Sequence, residues 1–572
     1  MKEYKPLPIG IDNFQKIIQH GCYYVDKTLL IKTLLDNTAE VTLFTRPRRF
    51  GKSLNLSMLQ YFFENRDPSC VEKLHSDRSK LFRGLKIERA GEKYQEHMGK
   101  YPVIMLNFKE AKQGNFDYCY RALYNMIASE YRRHSGILDS GRLTEDEKRM
   151  YQLLSNQEAD YVMVVSSIQF LCKCLEQAYG EKAILLIDEY DVPLENAYFE
   201  GFYKEMIRFI RGLLGASLKT NNSLKFAVII GCLRISKESI FTGLNNLRVV
   251  SIENKEYGEY FGFTEEEVED MLAHYDREEW ISQVREWYNG YLFGDTQVYN
   301  PWSLMNYMED VRVDLGAFPR PHWSNTSSNS IVKDLIYGAD DVVKAELEVL
   351  LSGGSIEKVI QEDVTYEDVY KSKDNLWNFL YFTGYLKKVG ERQDFNDSIY
   401  GTLQIPNREV RYIYRNQIMD WMNECVYPVD LTKLYEATLI GDVEVMEEEI
   451  TRVLERSISY CDGTIATQRE AFYHGVMIGI YQGMRGYLPV SNRESGNGRP
   501  DFLLKYVNHR GKACIMEFKV AEKVMELESK VTEALAQVES RKYRVGLEDE
   551  GYVDILEYGI AFYKKSCVVR RI

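Results

Sequence analysis

The chain has 572 residues, 45% of them hydrophobic and 28% charged, with a formal net charge of −14. That length predicts about two to four domains with real cores, and the acidic balance argues against a broad nucleic-acid-coating surface while leaving room for a local basic groove. The ten cysteines are scattered without paired zinc-like spacing, which fits reduced thiols; with no apolar signal core and no run long enough to span a bilayer, a soluble cytoplasmic protein with no membrane partner is expected.

The segment Leu7 to Asp36 contains Tyr24-Val-Asp-Lys-Thr28 and then an amphipathic helix around Leu29 to Leu35. It reads either as the wall of an adenine pocket or as a packing helix. Val41 to Thr45 are β-formers, and Gly51-Lys52-Ser53 turns into a helical run with Leu54, Met58, Tyr61 and Phe62 on one face. A buried strand feeding such a loop suits phosphate binding. Backbone N–H groups at the helix start hold phosphate oxygens, Lys52 meets the β/γ charge, and the Ser53 hydroxyl reaches Mg²⁺. The full pattern places a glycine five residues before Gly51, where this chain has Arg46. Arg48 and Arg49 add charge to the loop and join the candidate nucleotide contacts.

Pro102 to Phe108 reads as a second buried strand, followed by a helix from about Phe116 to His134. Asp139 to Asp160 looks like an exposed helical insertion, and Ser166 to Tyr179 is helical. Lys182 to Asp191 is an apolar strand ending in acids. Asp188 at its tip suits a Mg²⁺ held through water, and Glu189 suits orienting the attacking water. After a helix over Tyr203 to Leu218 comes a strand at Lys225 to Gly231. Arg234, just beyond it, is a candidate γ-phosphate sensor or else a surface arginine. Leu247 to Ile252 completes a set of strands alternating with helices, which predicts a parallel sheet with its ligand at the strands' carboxyl ends.

From Thr264 the pattern changes to acidic helices. Trp287 to Tyr291 and Val298 to Trp302 read as aromatic turns, Asn325 to Asn329 as helix caps before Ile331 to Ile336, and Leu376 to Ile405 as a winged-helix-like lid. The last unit opens after a helix over Val443 to Ser457. It has a helix over Arg469 to Tyr481, strands at Tyr487 to Ser491, Asp501 to Tyr506 and Ala513 to Val520, a helix over Glu528 to Arg541, and a strand at Tyr558 to Tyr563.

Within Ile515-Met-Glu-Phe-Lys519, Glu517 and Lys519 share a strand face while Met516, Phe518 and Val520 face the core. Two charges in an apolar strand cost free energy unless they are paired or hold a metal. With the preceding strand as neighbour, Asp501 and Glu517 converge on one Mg²⁺ (Mn²⁺ being the alternative ion), and Lys519 orients a water for in-line attack on a phosphodiester. Glu470 is a further candidate ligand, His474 lies one turn later, and Gln537 is placed to reach back toward the site. Glu494, in the glycine-rich loop Ser491 to Arg499, reads either as part of the metal shell or as solvated. The plainer account of Glu517 and Lys519 is an ion pair on a wet face.

These motifs together resemble a two-part family, an AAA-ATPase-like domain followed by a PD-(D/E)xK nuclease-superfamily domain. The resemblance rests on Tyr24 to Thr28, Thr45 to Ser53, Ile187 to Asp191, Trp287 to Tyr291 and Tyr299-Asn-Pro301 in the first part. In the second it rests on Phe472-Tyr-His-Gly475, Ser491 to Gly496, Gly498 to Asp501 and Glu517-Phe-Lys519. It implies an α/β chain with a P-loop ATPase domain at 1–263, a helical and winged-helix-like region at 264–430, and a restriction-endonuclease-like domain at 431–572. It implies ATP binding with hydrolysis at Lys52, Ser53, Asp188 and Glu189, and a metal-dependent nuclease site at Asp501, Glu517 and Lys519. The missing loop glycine is itself typical of that family. The expected partner is nucleic acid, DNA rather than RNA, with defence against foreign DNA as the associated biology. A nucleotide-gated binding module that does not cut is the alternative, and a homo-oligomer stays open because related ATPases complete their sites across subunits.

Overall fold

The computed structural model describes the chain except residues 1–3, 66–77, 235–239, 242–243, 315, 326–340, 352, 363–371, 417–429, 459–472, 474–475, 478–479, 482, 492–499 and 508–510. The chain divides into two compact units. One comprises 1–324 with 357–410, and the other 325–356 with 411–572. The stretch expected at 264–430 contributes to both.

The first unit is built on five parallel strands: β1 (Val41–Thr45), β2 (Val103–Asn107), β3 (Ala183–Asp188), β4 (Leu224–Gly231) and β5 (Leu247–Val250), in the order β2-β3-β4-β1-β5. Every residue of β1 and β3 is buried, as their unbroken apolar runs require when helices cover both faces of a parallel sheet. The helices include α1 (Leu29–Asp36), α2 (Lys52–Phe63), α3 (Phe116–Arg133), α4 (Glu145–Ser155), α5 (Tyr161–Tyr179), α6 (Val192–Phe199) and α7 (Tyr203–Leu218). The charged stretch after α3 is less exposed than its composition suggests: α4 starts on a Thr144–Glu147 capping box and buries Tyr151 and Leu154.

Beyond the sheet lie α8 (Glu265–His274), α9 (Ile281–Tyr288) and α10 (Pro301–Val313). The two aromatic segments expected as turns differ from that expectation. Trp287 and Tyr288 end α9, Tyr291 opens a hairpin of β6 (Tyr291–Phe293) and β7 (Thr296–Val298), and Pro301 and Trp302 begin α10 under an Asn300 cap. The stretch expected as a winged-helix-like lid, Leu376 to Ile405, contributes most of α11 (Lys373–Phe382) and the strands β9 (Lys387–Gln393) and β10 (Ile399–Gln404), which form a three-stranded sheet with β8 (Ile356–Val359). The caps expected at Asn325 to Asn329 fall almost wholly outside the described residues.

The second unit carries a mixed sheet, β11 (Tyr487–Ser491), β12 (Phe502–Tyr506), β13 (Ala513–Val520), β14 (Ile555–Tyr563) and β15 (Ser566–Arg571), in that order. Only β13 and β14 run parallel. Cys514, Met516, Phe518, Phe502 and Leu504 face a core shared with α12 (Thr432–Ile440) and α13 (Val443–Ile458). The other face carries α14 (Leu527–Arg541) and α15 (Tyr543–Asp549), whose Val538, Tyr543 and Leu547 pack on Leu503 and Ile515. Among the described residues no helix is long and apolar enough to cross a membrane.

Candidate functional sites at the two sheets

At the carboxyl end of the parallel sheet, β1 passes into a turn that begins α2. Gly51 caps that helix at φ 80°, a left-handed conformation that glycine adopts without Cβ strain. Arg49 and Glu189 also have positive φ, 70° and 52°. Non-glycine residues held this way cost roughly 1 kcal/mol or more each and tend to mark functional turns.

Lys52 is buried. Its Nζ donates to the carbonyls of Arg46 and Pro47 at 3.0 and 2.8 Å and lies 3.5 Å from Cys232 Sγ. Asp188 is fully buried at the tip of β3. Its Oδ2 accepts from Asn107 Nδ2 at 3.4 Å, and its Oδ1 has no hydrogen-bond partner among the described residues. Burial pushes its acid up to about 6, while the Ser53 hydroxyl and the Lys52 charge act the other way. A buried carboxylate oxygen facing a lysine and a serine at a helix start is a donor set that fits a hard cation carrying phosphates.

The arginines divide. Arg46 is completely buried, its Nη1 donating to Thr45 and Val250 carbonyls at 2.9 Å, its guanidinium over the rings of Phe261 and Phe293. The residue in the glycine position is therefore a core wedge. Arg49 lies over the Trp302 ring at 4.1 Å; burial lowers its pKa, and Glu189 and Asp12 pull it back up. Arg48 is ion-paired with Glu195, and Arg234 lies 3.4 Å from Glu362. Both would have to exchange a carboxylate partner to meet a nucleotide.

Tyr24 to Thr28 is held by its own neighbours. Asp26 accepts from Thr28 and from the Lys86 N–H, and Lys27 donates to Glu267 and the Glu259 carbonyl. These bonds make the segment a brace, which favours the packing account over a pocket wall.

In the second unit, Asp501 directly precedes β12 and stands opposite Glu517 on β13, given the register Phe502 to Met516. Asp501 Oδ2 accepts the Phe518 N–H at 2.8 Å, and the Asp501 N–H points to Glu517 Oε2 at 3.3 Å. Lys519 Nζ is 3.6 Å from Glu517 Oε1, which also accepts from Gln537 Nε2 on α14. Glu517 is wholly buried. The wet-face account does not hold, because α14 covers this face. Gly559 and Ala561 pair with Glu517 and Lys519 in β14. A Cβ at Gly559 would come within 2.9 Å of Val531 O and Leu535 Cγ. The bare glycine is what lets α14 come close enough for Gln537 to reach Glu517.

Two adjacent carboxylates with a lysine form an oxygen-rich donor set that fits a divalent cation. Glu470, His474 and Glu494 lie outside the described residues. Among those described, no cluster of three or more His, Cys, Asp or Glu suits a metal.

Several site neighbours carried little sequence signal. Asn107 ends β2 beside Asp188 in register, and a polar residue closing a buried strand was the available hint. Tyr543 places its hydroxyl 3.5 Å from Gln537 Nε2.

A parallel sheet with a Gly-Lys-Ser helix start and an acidic strand tip, followed by a mixed sheet bearing Asp, Glu and Lys, defines a two-module chain of ATPase and nuclease types. Residues 8–241 match the family model described as Predicted AAA-ATPase, and residues 468–572 match that of the PD-(D/E)XK nuclease superfamily. The chain thus carries an AAA-ATPase-like domain and a C-terminal PD-(D/E)XK nuclease-superfamily domain. A protein of Azotobacter chroococcum mcd 1, described as "Uncharacterized protein in vnfD 5'region", is 26% identical over 561 residues, covering 96% of this chain and 93% of that one.

Proposed function

We propose that the chain is a nucleotide-dependent nuclease that binds and hydrolyses ATP in its first unit and cuts nucleic-acid phosphodiesters, DNA in preference to RNA, in its second. The observation that carries the reading is the convergence of Asp501 and Lys519 on the fully buried Glu517 at one sheet face. Buried charges of this kind are costly without a task or a partner.

In the first unit, Lys52 neutralises phosphate charge, the N–H groups after Gly51 receive phosphate oxygens, Ser53 and Asp188 hold Mg²⁺, and Glu189 orients the attacking water. In the second, Asp501 and Glu517 hold Mg²⁺ or Mn²⁺, Gln537 fixes the Glu517 carboxylate, and Lys519 orients a water toward phosphorus. A divalent cation, when bound, offsets phosphodiester charge and acidifies water. Arg48, Arg49 and Arg234 are the candidate phosphate contacts at the edge of the nucleotide site.

A net charge of −14 supports a second reading, a nucleotide-gated module that grips a partner without cutting. A cleavage assay on single- and double-stranded DNA and RNA, with and without Mg²⁺ and ATP, separates the two. Wild type cuts only with metal, and Glu517→Gln falls roughly 100-fold or more while still binding ATP. Cleavage by Glu517→Gln at the wild-type rate would refute the assigned nuclease site. Metal binding without cutting would favour the second reading.

A further inference from the structure

Asp191 is spent in an unexpected place. It occupies the N-cap position of α6 but makes no side-chain bond to that helix, although Asp at this position ordinarily accepts from its own first turn. Its Oδ2 instead accepts the backbone N–H groups of Cys232 and Leu233, at 2.8 and 3.1 Å, just beyond β4. The neighbouring Tyr190 hydroxyl donates to the Leu233 carbonyl. Gly231 makes the approach possible, since a Cβ there would lie 2.5 Å from the Tyr190 ring and 2.7 Å from Asp191 Oδ1.

The loop held this way touches the phosphate loop twice. The Arg46 N–H donates to the Gly231 carbonyl at 3.1 Å, and Lys52 Nζ lies 3.5 Å from Cys232 Sγ. An ammonium group has three donors; here they meet the Arg46 carbonyl, the Pro47 carbonyl and the Cys232 sulfur. Sulfur is the weakest of these acceptors, so it is the contact an incoming phosphate oxygen displaces at least cost. A γ-phosphate oxygen would take that place, and a diphosphate, which ends at the β-phosphate, has none to offer.

We propose that Asp191 is a positioning residue which holds the loop 231–234 against Lys52 and so sets the preference of the nucleotide site for a triphosphate over a diphosphate. This rests on the nucleotide-binding reading above. Asp191 does not itself touch the nucleotide; it acts through Cys232, Leu233 and Lys52. Two N–H donors on one ionised oxygen are charge-assisted bonds, so the charge of Asp191 matters as well as its shape.

The test uses the full chain with Asp191→Asn and Asp191→Ala. ATP and ADP are titrated in Mg²⁺ by calorimetry, and alkylation of Cys232 by N-ethylmaleimide is followed by peptide mass mapping. Cys232 is half-buried, whereas the other six described cysteines are buried, so its labelling reports the loop. In wild type, ATP slows the labelling more than ADP does. Asp191→Asn keeps the shape and one acceptor oxygen for the two N–H groups but removes its charge. It should lower the ATP-to-ADP affinity ratio roughly 3- to 10-fold, the loss expected when charge-assisted bonds are weakened to neutral ones, and raise the Cys232 labelling rate. Should Asp191→Ala fail to fold, Asp191→Asn carries the test alone. A wild-type ratio and labelling rate in Asp191→Asn would overturn the proposal while leaving nucleotide binding intact. Absence of ATP and ADP binding by wild type would instead overturn the underlying reading of the site.

Discussion

Asp501 and Glu517 hold each other's backbone surroundings: the Asp501 carboxylate takes the N–H of Phe518, the residue after Glu517, and the Glu517 carboxylate faces the Asp501 N–H. The pair is registered by the β12–β13 ladder, so the carboxylates cannot drift apart without breaking strand pairing. Gln537 supplies the remaining orientation through Glu517 Oε1. Gln537→Ala should keep the fold and weaken Mn²⁺ binding roughly 10- to 100-fold, as loss of a partner behind a metal ligand does. Calorimetric metal titration checks this, with unchanged far-ultraviolet dichroism as the control.

Gly559 sets the distance between α14 and the sheet. Gly559→Ala introduces a Cβ about 2.9 Å from the Val531 carbonyl and the Leu535 side chain, and the carbonyl, being backbone, cannot step aside. The expected cost is about 1–3 kcal/mol, read as a lower melting temperature of the C-terminal unit. Because α14 must shift, Gln537 loses Glu517, and cleavage should fall more than stability alone explains at a temperature where the variant is folded.

Much of this was legible because the two sites sit at strand ends with strong local patterns. Five β-formers before Gly51-Lys52-Ser53 and an apolar run before Asp188 need no partner to be recognised. Period-two alternation placed Glu517 and Lys519 together, and one assumed neighbour brought in Asp501. What escaped depends on distant chain. Tyr291 and Val298 read as turn residues until β6 and β7 pair, and strand formation there is a tertiary choice. The edge strand β15 carries Ser566, Arg570 and Arg571 with little apolar run to announce it. Arg46 gave no hint that its charge is buried between Phe261 and Phe293, and Glu362, the partner of Arg234, lies 128 residues away.

Arg46 offers a direct check on the unusual phosphate loop. Burial pushes its guanidinium down to about 9, and its Nε and Nη2 find no hydrogen-bond partner among the described residues. A charge so placed contributes little net stability relative to an apolar side chain of similar size. Arg46→Met should therefore melt close to wild type or above it and still bind nucleotide. Arg46→Gly restores the usual loop glycine but empties the slot between the two rings, at a cost of about 2–5 kcal/mol. Lys52→Ala should lose nucleotide binding with little change in melting. Thermal unfolding and ATP titration of the three variants separate a wedge from a phosphate ligand.

Glu409 predicts a pH dependence. It is fully buried, its Oε1 accepting the Trp323 N–H at 2.9 Å and its Oε2 finding no hydrogen-bond partner among the described residues. Burial pushes its acid from 4.5 to about 8, offset in part by the Trp323 and His322 N–H groups and the Ser303 hydroxyl. A carboxyl group with a raised folded-state pKa binds its proton more tightly when folded. Its contribution to stability is complete below the unfolded value near 4.5 and is lost as the pH rises through about 8. Glu409→Gln keeps the shape and cannot ionise. The variant and wild type should melt within a degree or so of each other at about pH 5, and the variant should melt higher at about pH 8.5, where wild type must bury a carboxylate or unfold. Parallel curves for the two proteins across that range would show that Glu409 is already ionised in the folded chain.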